Sequence, residues 1–254
     1  DGVGGISSIN NLFFVQSLRH AAEVEDAFGD AVLAQRNRQL ADELSKEIVK
    51  RFWVPERNLL ADDEKHQRFS EHAQCLALLN GVLDPEKEGP CFQALTSDPN
   101  LVRTTVYFSF YLLETFRKYG RGDLILKQME FWKELARNGF KTPVESPEPS
   151  RSDCHAWGSH PLFHQRASLL GVRPVSPGFR EVEISPLPGD LRSMTARVPH
   201  PRGWIEARLE FDASGRQCTG EITLPPDTRG TFLWQGKLTE LAAGKSTAIH
   251  PAAE

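Results

Sequence analysis

At 254 residues the chain is long enough for one large domain or two small ones, and it can bury a real core. Its 39% hydrophobic and 25% charged residues are ordinary for a globular protein, and a net charge of −4 without a basic stripe argues against a nucleic-acid partner. No window approaches the roughly 20 apolar residues of a membrane helix, so no membrane partner is expected, and no basic-then-apolar leader is visible.

The four cysteines, Cys75, Cys91, Cys154 and Cys218, are scattered and make no metal-type spacing. Each is expected to be a buried or half-buried free thiol, which fits a reducing compartment and a cytoplasmic location. The first residue, Asp1, is not methionine; a processed chain or a piece of a longer one is expected, and the helix count favours the piece. Nothing in the sequence calls for a cofactor.

Up to about Leu170 the pattern is helical. Ser7 and Ser8 offer an N-cap, and Leu12, Phe13, Val15, Leu18, Ala22 and Val24 form an apolar stripe at helical spacing. Gly29 stops that helix and Asp30 caps the next, which runs through Leu33, Leu40, Leu44 and Ile48 to about Phe52 before Pro55. Residues 56–69 are polar and predict a long loop or a short hairpin. Ser70 then caps a helix through Cys75, Leu76, Leu78 and Leu79, closed by Gly81, and residues 85–95 predict a short one. A further helix is expected from near Thr104 to Tyr119. Asp123 caps the next, through Ile125, Met129, Trp132 and Leu135, closed by Gly139. A last helix is expected from about His155 to Leu170.

Phe28-Gly29-Asp30 and Tyr119-Gly120-Arg121-Gly122-Asp123 share one design, a left-handed glycine followed by an Asp cap. Each predicts a tight helical hairpin, and hairpins of this kind build bundles, solenoids or α/α toroids. No fixed-period repeat supports a solenoid. Six such hairpins need roughly twice this helical length, at about 1.5 Å per residue, so the expectation is half a toroid.

After Gly171 the character changes. Arg173-Pro174-Val175-Ser176-Pro177-Gly178 reads as a linker, and β-type runs follow at 182–184, 194–198, 205–211, 219–224 and 231–234. The clearest alternates strictly, with Ile205, Ala207, Leu209 and Phe211 on one face and Glu206, Arg208 and Glu210 on the other. Short strands at this spacing predict a small antiparallel β-sandwich. The expected organisation is a helical region over 1–171 and a β-domain over 172–254.

The longest irregular segment between helices is 140–153. Pro143, Pro147 and Pro149 stiffen it, Glu145 and Glu148 give it carboxylates, and it leads into Asp153-Cys154-His155-Ala156-Trp157. Loops held by a rigid scaffold often carry function. A carboxylate can activate water, an imidazole can hydrogen-bond a hydroxyl, and an indole can pack on a pyranose face. On composition alone, a solvated connection is the commoner reading of such a loop. Glu71, His72 and Gln74 start a helix and could face a cavity, with a dipole-favoured carboxylate and a satisfied histidine as the plainer reading. Core packing is the default for Tyr107 and Phe108. Trp204 and Trp234 could be sugar platforms or sheet-face packing. His160 and His164 are spaced for a metal but lack a third ligand, so no metal is expected.

The stretch Thr142-Pro143-Val144-Glu145-Ser146-Pro147-Glu148-Pro149-Ser150-Arg151-Ser152-Asp153-Cys154-His155-Ala156-Trp157-Gly158-Ser159-His160-Pro161 resembles the late-barrel signature of bacterial α-L-rhamnosidases of glycoside hydrolase family 78. The resemblance runs forward through Leu169-Leu170-Gly171-Val172-Arg173-Pro174-Val175-Ser176-Pro177-Gly178-Phe179, Val182-Glu183-Ile184-Ser185-Pro186 and Val198-Pro199-His200-Pro201-Arg202-Gly203. It runs backward through Phe69-Ser70-Glu71-His72-Ala73-Gln74 and Thr105-Val106-Tyr107-Phe108-Ser109-Phe110-Tyr111, so it covers nearly the whole chain.

The resemblance implies the late part of an (α/α)6 barrel followed by a β-sandwich, and inverting hydrolysis of terminal α-L-rhamnosides. A rhamnose-containing glycoside or oligosaccharide is the implied partner. Glu145 matches the family's water-activating base and His155 a histidine that contacts the sugar; Glu148 is the rival base. Trp157, His72 and Tyr107 complete the expected substrate-binding set. Val144 stands where the family commonly has tryptophan before the base. The family's general acid lies earlier in the barrel, so this chain is expected to hold the base side of a site, to lack the acid, and to be inactive alone. Another α/α-toroid glycosidase or phosphorylase, or a non-catalytic carbohydrate-binding remnant, is the alternative.

Overall fold

In a computed structural model, residues 5–250 are described; Asp1 lies outside them. The chain divides into two compact units, Asp1–Thr115 and Phe116–Glu254.

The first unit opens with a helical hairpin. In α1 (Ser8–Phe28) the Ser7 side chain accepts the Asn10 N–H, and Gly29 turns the chain with φ 87°. In α2 (Ala31–Phe52) the Asp30 carboxylate accepts the Leu33 N–H. Leu12, Val15, Leu18 and Ala22 are buried as the pattern requires, but Val24 is exposed. The expectation for α2 needs the larger correction. Leu33 and Leu40 lie outward, and the buried face carries Ala34, Ala41, Ser45, Ile48 and Phe52. Small residues there let the two helix axes approach closely.

A two-stranded hairpin follows, β1 (Trp53–Val54) with β2 (Leu59–Leu60). Then come α3 (Glu71–Asn80), almost entirely buried, and α4 (Pro85–Ser97). Ser70 does begin α3 but makes no side-chain cap hydrogen bond; its hydroxyl donates to Asp62 instead, at 2.8 Å. The helix expected from Thr104 starts later, as α5 (Ser109–Lys118). The Thr104 N–H is committed to the Glu71 carboxylate at 2.7 Å, and Thr105 Oγ1 accepts the Phe108 N–H, so 104–108 turn before the helix begins.

The second unit contains α6 (Gly122–Arg137), the long loop and the β-region. Arg121, not Asp123, takes the N-cap position of α6. Asp123 sits in the first turn and accepts two bonds from the Arg121 guanidinium, at 2.8 and 2.6 Å. The single helix expected from His155 is a broken one: a 3-10 turn (Ala156–Ser159), α7 (Pro161–His164) and a π turn (Gln165–Leu169). Pro161 lacks the N–H that would join the first piece to the second.

The β-region holds two four-stranded sheets. One has the order β10 (Ser246–Ile249), β7 (Cys218–Thr223), β6 (Gly203–Phe211), β5 (Ser193–His200), antiparallel throughout. Its register pairs Met194 with Leu209 and Val198 with Ile205, all buried. The other has the order β3 (Val172–Pro174), β4 (Glu181–Ile184), β8 (Arg229–Trp234), β9 (Lys237–Leu241). It is mixed, because β4 pairs with β8 in parallel, which corrects the all-antiparallel expectation. A parallel pair needs a long crossover, and strands β5–β7 supply it. The supposed linker also begins with a strand: Arg173 and Pro174 pair with Glu183 and Val182. On β6, Ile205, Ala207, Leu209 and Phe211 are buried and the residues between them exposed.

Cys75, Cys91 and Cys218 are buried free thiols, whereas Cys154 is exposed. Burial pushes the Cys91 and Cys218 thiols up to about 12. Among the described residues no helix is long and apolar enough to cross a membrane.

Candidate active-site loop

The proline-rich segment folds back on itself. The Glu145 N–H donates to Ser152 O at 2.9 Å, the His155 N–H to Pro143 O at 2.8 Å, and the Thr142 hydroxyl to Asp153 O. Val144 is wholly buried and anchors the first arm. These bonds place Glu145 and His155 side by side although ten positions separate them. The tip, which includes a cis Glu148–Pro149 bond, is closed by its own side chains: Glu148 accepts the Ser150 N–H at 3.0 Å, and the Ser150 hydroxyl donates to Ser152 O at 2.9 Å.

Glu145 is largely covered, with 16% of its side chain exposed, while Glu148 is exposed. The Arg151 guanidinium forks onto Glu145, its Nε on Oε2 at 2.9 Å and its Nη2 on Oε1. That bond, with a lesser effect from His155, holds the Glu145 carboxyl below the usual carboxylate range. His155 Nδ1 lies 3.9 Å from Glu145 Oε2. The distance is too long for a hydrogen bond, and this buried nitrogen has no such partner among the described residues. The His155 ring lies against Trp157, centroids 4.3 Å apart, and Trp157 is half exposed. The loop thus brings a carboxylate, an imidazole and a half-exposed indole together.

The segment behind them is pinned from α6. Trp132 Nε1–H donates to Gly158 O at 2.7 Å, and its ring meets His160 edge-on at 5.1 Å. A cavity of about 250 Å³ beside this contact is lined by Trp132, Phe140, Pro143, Gly158, Pro161 and Leu162. His164 is fully buried, with Nδ1 2.9 Å from Ser168 Oγ. Burial, with the nearby charges of His160, Arg173 and Arg117, pushes its imidazole down to about 3. Among the described residues no group of three His, Cys, Asp or Glu side chains could hold a metal ion.

The remaining candidates lie in the first unit. The His72 ring packs on Phe108 at 4.2 Å, and burial lowers its pKa. Tyr107 is exposed and meets Tyr111 edge-on, and burial together with Tyr107 pushes the Tyr111 hydroxyl up to about 12. Glu71 and Gln74 are engaged by the fold's own hydrogen bonds. Glu71 is buried, bonded to the Arg103 guanidinium at 2.7 Å as well as to the Thr104 N–H. Gln74 is buried and clamps β2, accepting the Leu60 N–H at 2.9 Å and donating to Leu60 O at 2.8 Å. In the β-region, Trp204 is exposed beneath Arg197 at 4.6 Å, and Trp234 packs on Phe211 at 5.3 Å. Arg151 is the functional candidate that the residue pattern gave no reason to single out.

Helical elements leading into an antiparallel and a mixed sheet, in this order, recur in known α-L-rhamnosidases. Residues 171–247 match the family described as bacterial alpha-L-rhamnosidase C-terminal domain. The structure is similar to the glycoside hydrolase family 78 rhamnosidase of Bacillus sp. GL1, with a TM-score of 0.82 and 29% identity over 90% of this chain and 26% of that one. It is also similar to the α-L-rhamnosidase from Dictyoglumus thermophilum, with a TM-score of 0.76 and 16% identity over 94% of this chain and 31% of that one. The Streptomyces avermitilis α-L-rhamnosidase complexed with L-rhamnose gives a TM-score of 0.74 and 18% identity over 93% of this chain and 26% of that one. No curated protein sequence matches the chain. The fold is therefore that of the matching part of known α-L-rhamnosidase structures, and the chain spans between a quarter and a third of their length. More particularly, it is similar to the C-terminal portion of the glycoside hydrolase family 78 α-L-rhamnosidases.

Proposed function

We propose that this chain forms part of an inverting α-L-rhamnosidase in which Glu145 activates the water that attacks the anomeric carbon. The observation that carries the reading is the folded loop, which sets the covered, ionised Glu145 carboxylate beside His155 and the half-exposed ring of Trp157. In this reading His155 hydrogen-bonds a sugar hydroxyl and Trp157 packs on the ring. His72 and Tyr107, in the first unit, are separate candidates for sugar contact. The substrate is a rhamnose-containing glycoside, as the L-rhamnose complex of the Streptomyces avermitilis relative supports. Glu145 is favoured over Glu148 because Glu148 is exposed and spends its carboxylate on its own turn.

An inverting glycosidase sets its base and acid roughly 6.5–9.5 Å apart, and the acid needs a raised pKa. Among the described residues no carboxyl has a claim to that role comparable with the claim of Glu145 to the base. The acid then belongs to a preceding part of the family fold, and the helices here are the later hairpins of an (α/α)6 toroid that the β-region follows. The test is turnover of an aryl α-L-rhamnoside, with anomeric configuration followed by NMR. A polypeptide with the whole family fold should release β-L-rhamnose first, and the 254-residue chain alone should not turn over. Glu145→Gln should abolish turnover and leave rhamnose binding largely intact. Loss with Glu148→Gln and retention with Glu145→Gln would move the base by three residues, and turnover by the isolated chain would remove the divided site.

A further inference from the structure

Glu145 and His155 stand close, yet the imidazole does not hold the carboxylate: at 3.9 Å the contact is no hydrogen bond. The holding group is Arg151, which occupies both carboxylate oxygens with two nitrogens of one planar fork. A forked pair fixes the plane of the carboxylate as well as its place, which a single bond leaves free. Arg151 and His155 are the charged groups acting on this carboxyl, with Arg151 the stronger. Its guanidinium is always charged, so its effect does not fade across the working pH range. Each carboxylate oxygen still keeps lone-pair capacity for a water, since a carboxylate has about four acceptor sites.

The exposure of the pair is unequal, 83% for Arg151 against 16% for Glu145. So exposed an arginine braces little of the fold, because exposed ion pairs add little to stability. What its geometry does act on is Glu145. We propose that Arg151 is a positioning residue that fixes the orientation of the Glu145 carboxylate and keeps a full negative charge on it, ready to take a proton from water. The inference rests on the reading of Glu145 as base.

Its sign is definite. A base works only when ionised, so activity fails as pH falls through the Glu145 pKa, and Arg151 extends the working range downward. Arg151→Met, Arg151→Lys and Glu145→Gln are compared in a rhamnosidase-active polypeptide that contains this chain, by thermal midpoint and by the pH profile of kcat/KM. Arg151→Met is expected to keep the midpoint, lose up to about 100-fold in kcat as a misplaced group does, and move the acidic limb upward. Arg151→Lys should restore the limb, as a point charge suffices for it, but only part of kcat, as an ammonium has no fork. Carboxyl carbon NMR of Glu145 in the 254-residue chain gives a second reading, and its titration midpoint should rise with Arg151→Met. An unmoved acidic limb and an unmoved NMR midpoint overturn the proposal, whether or not kcat falls. Activity retained by Glu145→Gln overturns the base reading itself, whereas an inactive Glu145→Gln beside an unmoved limb in Arg151→Met removes only the role of Arg151.

Discussion

The indole N–H of Trp132 donates to the carbonyl of Gly158 at 2.7 Å, so α6 holds the turn that begins just after His155. Gly158 is buried, and its carbonyl would lose this donor in Trp132→Phe. An unpaired buried polar group costs about 1–3 kcal/mol, and the substitution keeps most of the apolar contact with His160. Urea unfolding should show a loss of that size. Rhamnose affinity in a binding-competent polypeptide should fall as well, because the support for His155 and Trp157 loosens. Unfolding curves that superimpose on the parent would mean that the bond supports nothing.

Gln74 is the second polar group whose removal should be costly. Its amide answers both the N–H and the C=O of Leu60 and also reaches Ser70 O at 3.0 Å. Gln74→Leu fills similar space but leaves the buried Leu60 backbone without these partners. At about 1–3 kcal/mol for each stranded group, a loss of roughly 2–6 kcal/mol is expected by chemical denaturation. If Gln74 instead served a sugar site, the same variant would lose binding and keep its stability.

These two residues also show where the sequence is legible and where it is not. Helices are announced by caps and glycines, so Ser7, Gly29, Asp30 and Gly81 stand where local chemistry puts them. Strand β6 is legible because its alternation is complete. The strands that the pattern hides, β3, β9 and β10, are all sheet edges. An edge strand buries little, so it needs no run of apolar residues, and β3 even tolerates Pro174. The buried face of α2 is hidden for another reason. Ala34, Ala41 and Ser45 face inward while larger leucines lie outside, and hydrophobic periodicity weighs large side chains most. In the loop, Glu145, His155 and Trp157 are suggested by residue type, but Arg151 is an exposed arginine among serines and prolines. Its role depends on the backbone bond from Glu145 to Ser152, which brings the two arms together and which no local pattern encodes.

Gly171 marks the passage from the π turn to β3, and its environment makes it irreplaceable. Its φ is 78°, and a Cβ there would lie 1.9 Å from the Ser185 carbonyl oxygen. The Gly171 carbonyl also accepts the Ser185 N–H at 3.1 Å, so the two backbones cannot separate without losing a bond. Gly171→Ala should therefore cost more than the roughly 1–3 kcal/mol of left-handed strain alone. A thermal midpoint within a degree or two of the parent would contradict this close approach. Gly29→Ala is the control, with a positive φ of 87° but open space around the added carbon, and should show the strain without the clash.

His164 gives the protein a distinct acid sensitivity. It is fully buried and bonded to Ser168, and burial, with the cations around it, pushes its imidazole down to about 3. In the unfolded chain the same group titrates near 6.5, as an ordinary histidine does. Between those values the unfolded state binds the proton and the folded state refuses it. Stability from this group is therefore complete above about pH 6.5 and declines as pH falls toward 3, by at most about 1.4 kcal/mol per pH unit. Unfolding free energies from urea titrations at about pH 7.5 and about pH 5 should differ by up to roughly 2 kcal/mol from this source. His164→Gln is expected to be less stable at the higher pH, with Ser168 partly unanswered, and to lose less on acidification. Equal losses in parent and variant would show that His164 does not resist its proton, and that the acid sensitivity comes from carboxylates elsewhere.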